Sequence, residues 1–363
     1  MRLTYVTRVA VPSPAAQAGQ ILSMSHAFHR QLGADFRLVS ASSSESTPSV
    51  PFAWTRRTAP SRLARYPAFC AEAVRASRAS QDSVVFTRDI GVAAATVLSG
   101  GRAVYEAHKD PVGIAARRLT ALLVQSERFR LVCISEALTD YYVERFGIPH
   151  ERVLSAHDGV FPEQYPDRGG EERAALRDAL GLPHDRVLVV HTGSLFVGRG
   201  AELFEQVCRA DPRVLFVQVG GSAEDVERVR RHYEVRGVHN IQFVPRQSID
   251  SVRRYQAVAD VLFYMTTRQS PIHWCTSPLK LFEYLASGRP VLGSPVGSVA
   301  EIIDDRKAWC FDPERPESVA EALGNLLANP GEAESRAQRA RDETLREHSW
   351  YRRAQRISAF AAA

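Results

Sequence analysis

Short apolar runs rich in valine and aromatic residues alternate with stretches of helical periodicity along almost the whole chain. In the first half, LTYVT from Leu3, FRLVS from Phe36, VVFTR from Val84, AVYEAH from Ala103 and LVCIS from Leu131 predict strands. Between them the spacing predicts helices over Gln20–Leu32, Gly91–Leu98, Ile114–Glu127 and Glu136–Phe146. RVLSAHDGVF closes this series, and the pattern restarts at VLVVHTGS from Val187. The second series has strands at VLFVQVGG, NIQFVP, ADVLFYM and RPVLGS, with helices over Ala201–Arg209, Ala223–Arg236, Ile249–Ala257, Pro278–Ser287 and Ser298–Ile303. Strands alternating with helices of this length imply βαβ units and parallel sheets. Unbroken runs such as VLVVH and VLFVQV fit strands buried on both faces.

A polar segment, EQYPDRGGEE from Glu163, separates the two series and reads as a linker. The expected organisation is α/β: a Rossmann-like domain over 1–163, a second over 164–345, and a last helix over 346–363 packing back toward the first domain. Trp350, Tyr351, Ile357 and Phe360 supply that helix with an apolar side. In doubly wound sheets ligands bind outside the carboxyl ends of the strands. The loops after Thr7, Thr87, Glu106, Thr192, Gly220, Val244 and Met265 are therefore the places to look for chemistry.

At 363 residues with 24% charged and 45% hydrophobic positions, the chain is neither disordered nor fibrous. No run reaches the length of a membrane helix, and the first residues read as a strand and turn rather than a signal peptide. Five cysteines without paired spacing fit reduced thiols in a cytoplasmic protein. The net charge of +5 lies wholly in residues 1–163, with 19 Lys+Arg against 14 Asp+Glu. Much of it comes from Arg56, Arg57, Arg62, Arg65, Arg75 and Arg78, opposed only by Glu72. That stretch fits an anionic membrane surface or an acidic acceptor, or else a plain solvated face. It carries no nucleic-acid-binding signature. Three lysines (Lys109, Lys280, Lys307) stand against 43 arginines. Against that background each marks a place where a compact ammonium is of use.

The densest constellation is TSPLKLFEYLASGRPVLGS from Thr276. Ser277 is expected as a helix N-cap and Pro278 at the first helical position. The free N–H groups of such a start attract anions. Lys280 sits in the first turn, where a cation opposes the helix dipole unless it meets a phosphate. Glu283 follows at i+3 on the same face. The alternative is an ordinary helix with a surface Lys–Glu pair. A second strand–loop–helix cradle, HTGSLFVGRGAELF from His191, lacks both the P-loop and the dinucleotide glycine patterns. The chain has no D-x-D and no H-E-x-x-H, so no metal site is expected.

Together these segments resemble a retaining glycosyltransferase of GT-B architecture, glycosyltransferase family 4. The motifs are GSL…RGAELF, SPLKLFEYLASGRPVLGS, GSVAEII from Gly297, VYEAHKDP, HDGVFPEQY and FTRDI. The resemblance implies two facing doubly wound Rossmann-like domains with a cleft between them. It implies a nucleotide diphosphate sugar as co-substrate, of unspecified base, a hydroxyl acceptor and no separate cofactor. Glu283 would bind ribose hydroxyls. Arg199 and Lys280 would hold the diphosphate, with Gly193, Ser194, Ser277, Pro278 and Leu279 around it. Val244 and Arg246 would line the base pocket. His108 would face the donor sugar as a catalytic group, with Ala16, Gln17, Arg88, Glu106, Trp274, Cys275 and Thr276 contacting substrate.

One departure is specific. The family commonly has Glu, seven residues, then Glu; counting back from Glu283 places Cys275 at the first Glu. The donor sugar would then be held by groups around His273–Thr276. Two rivals follow: an epimerase or hydrolase using His108 and Glu106 as acid and base, or a nucleotide-sugar-binding protein without turnover.

Overall fold

The computed structural model describes residues 1–13, 16–46, 48–58, 62–167, 169–195 and 203–363; of residues 16, 62, 63 and 65 it describes the backbone alone. The chain falls into two compact units, Met1–Asp158 with Trp350–Ala363, and Gly159–Ser349. Their junction lies upstream of the polar segment from Glu163.

The first unit runs β1 (Arg2–Ala10), α1 (Ala16–Leu32), β2 (Phe36–Ala41), β3 (Ala53–Arg57), α2 (Arg62–Ser77), β4 (Ser83–Thr87), α3 (Ile90–Leu98), β5 (Arg102–Ala107), α4 (Ile114–Leu123), β6 (Phe129–Cys133), α5 (Glu136–Phe146) and β7 (Val153–Ser155). Its sheet has the order β3-β2-β1-β4-β5-β6-β7 and every pairing is parallel. All five residues of β4 are buried, as covering helices on both faces require. Tyr5, Phe28 and Phe86 meet edge-on in its core, with ring centroids 4.9 and 5.2 Å apart.

The second unit contains α6 (Gly170–Ala179), β8 (Val187–Thr192), α7 (Phe204–Ala210), β9 (Val214–Val219), α8 (Ala223–Val235), β10 (Ile241–Val244), α9 (Ile249–Val258), β11 (Val261–Tyr264), α10 (Leu279–Ala286), β12 (Val291–Gly293), β13 (Trp309–Cys310), α11 (Pro316–Ala328) and α12 (Pro330–Glu347). Its parallel sheet has the order β10-β9-β8-β11-β12-β13. In each sheet the order reverses beside the first strand, between β1 and β4 and between β8 and β11. These are the topological switch points where doubly wound sheets bind ligands.

The last helix, α13 (Trp350–Ala362), packs on α1 in the first unit. Trp350 and Ile357 are buried, and Arg30 lies over the Tyr351 ring at 4.0 Å. The chain enters the second unit beside the point where it leaves. Val160 donates to the His348 carbonyl at 2.9 Å, and a side chain at Gly159 would collide with that carbonyl. The polar segment is thus partly docked, with Tyr165 buried and its carbonyl accepting from Arg341 at 2.6 Å.

The basic stretch hides two elements, β3 and α2. Phe69 and Ala73 give α2 a buried face at i, i+4. Glu72, also buried, takes both Arg57 and Arg75. Arg56 donates to the Ser43 carbonyl at 2.7 Å. Part of the apparent charge excess is therefore satisfied within the fold. Among the described residues no helix is long and apolar enough to cross a membrane.

Candidate functional site

In the first unit, the carboxyl ends of β1, β4 and β5 enclose a pocket of about 420 Å³. Gln17, Arg88, Glu106 and His108 line it, with Thr7, Arg8, Val9, Asp89, Tyr105 and Lys109. Of the expected substrate contacts here, Ala16 begins α1 and its side chain lies outside the described residues.

The floor of this pocket is an ion cluster built around Glu106, whose side chain is almost fully buried. Its Oε2 accepts from Arg88 Nε at 2.5 Å and from His108 Nε2 at 2.9 Å. Its Oε1 accepts from Arg353 Nη2 at 2.6 Å. Burial alone would raise the Glu106 pKa, but Arg88, Arg353 and His108 outweigh it and hold the carboxyl well below the usual range. Burial, and then Arg88, lower the His108 pKa, so the imidazole is neutral near pH 7. Nε2 faces a carboxylate and therefore carries the proton, leaving Nδ1 to accept from Arg88 Nη2 at 3.3 Å. Both ring nitrogens are engaged, an arrangement that suits a fixed wall better than a proton shuttle.

Arg353 escaped the sequence reading. It reaches in from α13, also donating to the His157 carbonyl at 2.9 Å. Arg88 further donates to Gln20 at 3.2 Å, and Gln20 donates to Asp158 at 2.6 Å. The His157 carbonyl and the Asp158 carboxylate are thereby tied into the same cluster.

In the second unit, the loops after β8 and β9 lie against each other. Gly193 has φ 136° and Gly220 φ 110°, a region that excludes most side chains. A side chain at Gly193 would strike Lys280 Nζ, and one at Gly220 would meet the Gly193 carbonyl at 2.7 Å. Lys280 Nζ lies 3.2 Å from His191 Nε2. His191 Nδ1 meets Gln218 Oε1 at 2.6 Å, and Gln218 Nε2 donates to the Gly193 carbonyl at 2.9 Å. With Gln218 Nε2 given to the Gly193 carbonyl, its Oε1 accepts from His191 Nδ1, and His191 Nε2 is the ring atom turned to Lys280. His191 and Gln218, both absent from the expected site, thereby aim Lys280. A polar residue ending VLVVH and a glutamine inside VLFVQV were the available signals.

Helix α10 starts one residue later than expected. Pro278 is its N-cap, with no side-chain cap, and Ser277 lies outside it, buried. The first N–H groups, near Leu279 and Lys280, therefore lack a side-chain acceptor at the cap. Glu283 does not pair with Lys280. Its Oε2 accepts from Gln256 Nε2 at 3.0 Å, and Oε1 has no partner among the described residues. Burial raises the Glu283 pKa against the smaller opposing effects of Gln256, Arg253 and Lys280. Gln256, from α9, is almost fully buried and was not foreseen.

The remaining expected residues fall as follows. Val244 ends β10, buried, and Arg246 is exposed just beyond it. Cys275 is buried, so it offers no side chain to a ligand. The 273–276 backbone is fixed from behind: Ser298 Oγ donates to the Thr276 carbonyl at 2.7 Å and Ser298 N to the His273 carbonyl at 3.2 Å. Trp274 is half-buried beside it and Ser194 follows Gly193. Arg199 lies outside the described residues. No group of three His, Cys, Asp or Glu suited to a metal stands together among the described residues.

Residues 188–329 match the family model described as glycosyl transferases group 1. An uncharacterized glycosyltransferase of Methanocaldococcus jannaschii is 23% identical over 233 residues, spanning 62% of this chain and 57% of that protein. The Anabaena protein HepE, solved with UDP, is 14% identical with a TM-score of 0.75 over 99% of both chains. A glycosyltransferase from Rickettsia africae is 12% identical with a TM-score of 0.77 over 99% of this chain and 98% of that one. The fold is that of GT-B glycosyltransferases, two Rossmann-like domains each on a parallel sheet, and the segment carrying Lys280 and Glu283 is the one similar to the group 1 family.

Proposed function

We propose that the protein transfers a sugar, with retention, from a nucleotide diphosphate donor to an acceptor hydroxyl. One observation carries this reading: among the described residues Glu283 keeps one carboxylate oxygen without a partner, next to the uncapped start of α10 and three residues from Lys280. A carboxylate that accepts two hydroxyls and a helix start that accepts phosphate are what a nucleoside diphosphate requires. The similarity of residues 188–329 to group 1 glycosyl transferases, and of the fold to a protein solved with UDP-glucose, supports the same reading.

In this reading Glu283 binds ribose. Lys280, the α10 N–H groups and Arg199 receive the diphosphate. Gly193 and Ser194 let the phosphates approach the backbone, while Val244 and Arg246 flank the base. Trp274, Cys275 and Thr276 border the sugar through a rigid backbone, and the pocket of the first unit takes the acceptor. The leaving diphosphate gains negative charge in the transition state, and fixed cations and helix N–H groups stabilise it without reorganising. Those groups make a divalent metal unnecessary, and the leaving phosphate serves as base for front-face attack.

The epimerase alternative needs a free acid and base beside the sugar. Glu106 lies between two arginines and His108 has both nitrogens engaged, so neither fits that task. The test is incubation with a panel of nucleotide sugars. Glycosylated acceptor with the donor's anomeric configuration kept supports transfer. An epimerised sugar, donor hydrolysis with no transfer, or binding with no turnover under any acceptor, contradicts it.

A further inference from the structure

The three lysines separate cleanly in the structure. Lys307 pairs with Glu343 at 2.9 Å, and Lys280 meets His191. Lys109 is exposed, lines the pocket of the first unit, and its ammonium has no partner among the described residues. The other charges around that pocket balance. On the floor, Arg88 and Arg353 face Glu106 and, through Gln20, Asp158. On the wall, Arg8 is paired with Asp89, which also accepts from Tyr66 at 3.0 Å and caps α3 through Gly91 and Val92. His108 is neutral. Among the residues that line the pocket, Arg8 and Arg88 face Asp89 and Glu106, and Lys109 is one positive charge in excess.

We propose that the molecule bound in this pocket is an acid, and that Lys109 holds its phosphate or carboxylate. This rests on the glycosyltransferase reading and names the class of acceptor: a hydroxyl compound carrying an anionic group. An ammonium is a compact point charge with three donors, suited to an anion approaching from any side. A neutral polyol gains nothing from it that water does not already supply. The floor cannot take the acid itself, because both oxygens of Glu106 are occupied and its arginines face inward to carboxylates. The mouth at Lys109 is where the anion sits, leaving the uncharged part of the acceptor against Gln17 and His108.

The full chain is first titrated with a panel of nucleoside diphosphates; failure of every one to bind overturns the glycosyltransferase reading itself. With the binding nucleotide saturating, calorimetry then compares glucose 6-phosphate, glucuronate and glucose on wild type, Lys109→Met and Lys109→Arg. A separate arm compares phosphatidylinositol with phosphatidylcholine vesicles, which tells a lipid headgroup from a free sugar acid. Wild type is expected to prefer an acid, free or lipid-borne, by tenfold or more over its neutral counterpart. Lys109→Met loses that preference, Lys109→Arg keeps most of it, and nucleotide affinity is equal in all three. The proposal is overturned if wild type shows no preference for any acid, or if Lys109→Met keeps it.

Discussion

Glu106 lies near the end of β5 in the first unit and Glu283 in α10 of the second, in two units wound the same way, and their surroundings are opposite. Glu106 is gripped on both oxygens by Arg88, Arg353 and His108. Glu283 has one neutral amide on one oxygen. The first is held well below the ordinary carboxylate range, and the second is raised by burial. A carboxylate saturated by internal cations organises a pocket wall. One that has a single neutral donor among the described residues keeps the capacity that the proposed ribose-binding role requires. The difference teaches that lying near the end of a Rossmann-like strand does not make two carboxylates alike; the donors around each set them apart.

Breaking the first member should have the largest effect. Glu106→Gln leaves Arg88 and Arg353 buried against a neutral amide, a loss of about 3–5 kcal/mol for a broken buried ion pair. Because the Glu106 pKa is depressed in the folded state, its contribution is present above the unfolded value and is lost as pH falls through the acid range. Urea unfolding of wild type at pH 7 and pH 4 should therefore differ more than that of Glu106→Gln. A variant as stable as wild type at pH 7 would erase the contrast.

Lys280→Ala should come next. The leaving phosphate gains charge in the transition state, so kcat should fall ten- to hundredfold, more than donor KM rises. Steady-state kinetics with the accepted donor reads this, and an unchanged kcat breaks the link between α10 and the chemistry. Gln256→Leu sharpens the comparison further. It removes the one side-chain hydrogen bond on Glu283 among the described residues, worth about 1 kcal/mol, so nucleotide affinity should drop about fivefold. The smallest expected effect is that of excess chelator, which should leave turnover intact; loss restored by Mg²⁺ or Mn²⁺ would show that the cations of the second unit do not suffice.

Much of the fold was legible because the strands are unbroken apolar runs and the helices carry regular periodicity. Lys280 and Glu283 were legible because a cation in a first helical turn is out of place without an anion. Elements coated in arginine were not. In α2 the apolar face of Phe69 and Ala73 is narrow and set among basic residues, and in α6 a buried position is Arg177, which donates to the Val258 carbonyl at 2.9 Å. The groups that tune the site were also hidden, since amides and lone arginines form no motif. Gln256 reaches Glu283 from 27 residues away, and Arg353 reaches Glu106 from 247. Only the three-dimensional structure brings such partners together.

The most direct measurement is calorimetric titration of the nucleoside diphosphate into wild type and Glu283→Gln, with unfolding of both measured at pH 7. A charged hydrogen bond to ribose contributes about 1.5–3 kcal/mol, so affinity should fall ten- to hundredfold. Stability should hold or rise: a carboxyl whose pKa is raised by folding costs the folded state stability as pH climbs through that pKa, and Gln removes the cost. Unchanged affinity, or a loss of stability like that of Glu106→Gln, would contradict the account and make Glu283 a second structural carboxylate.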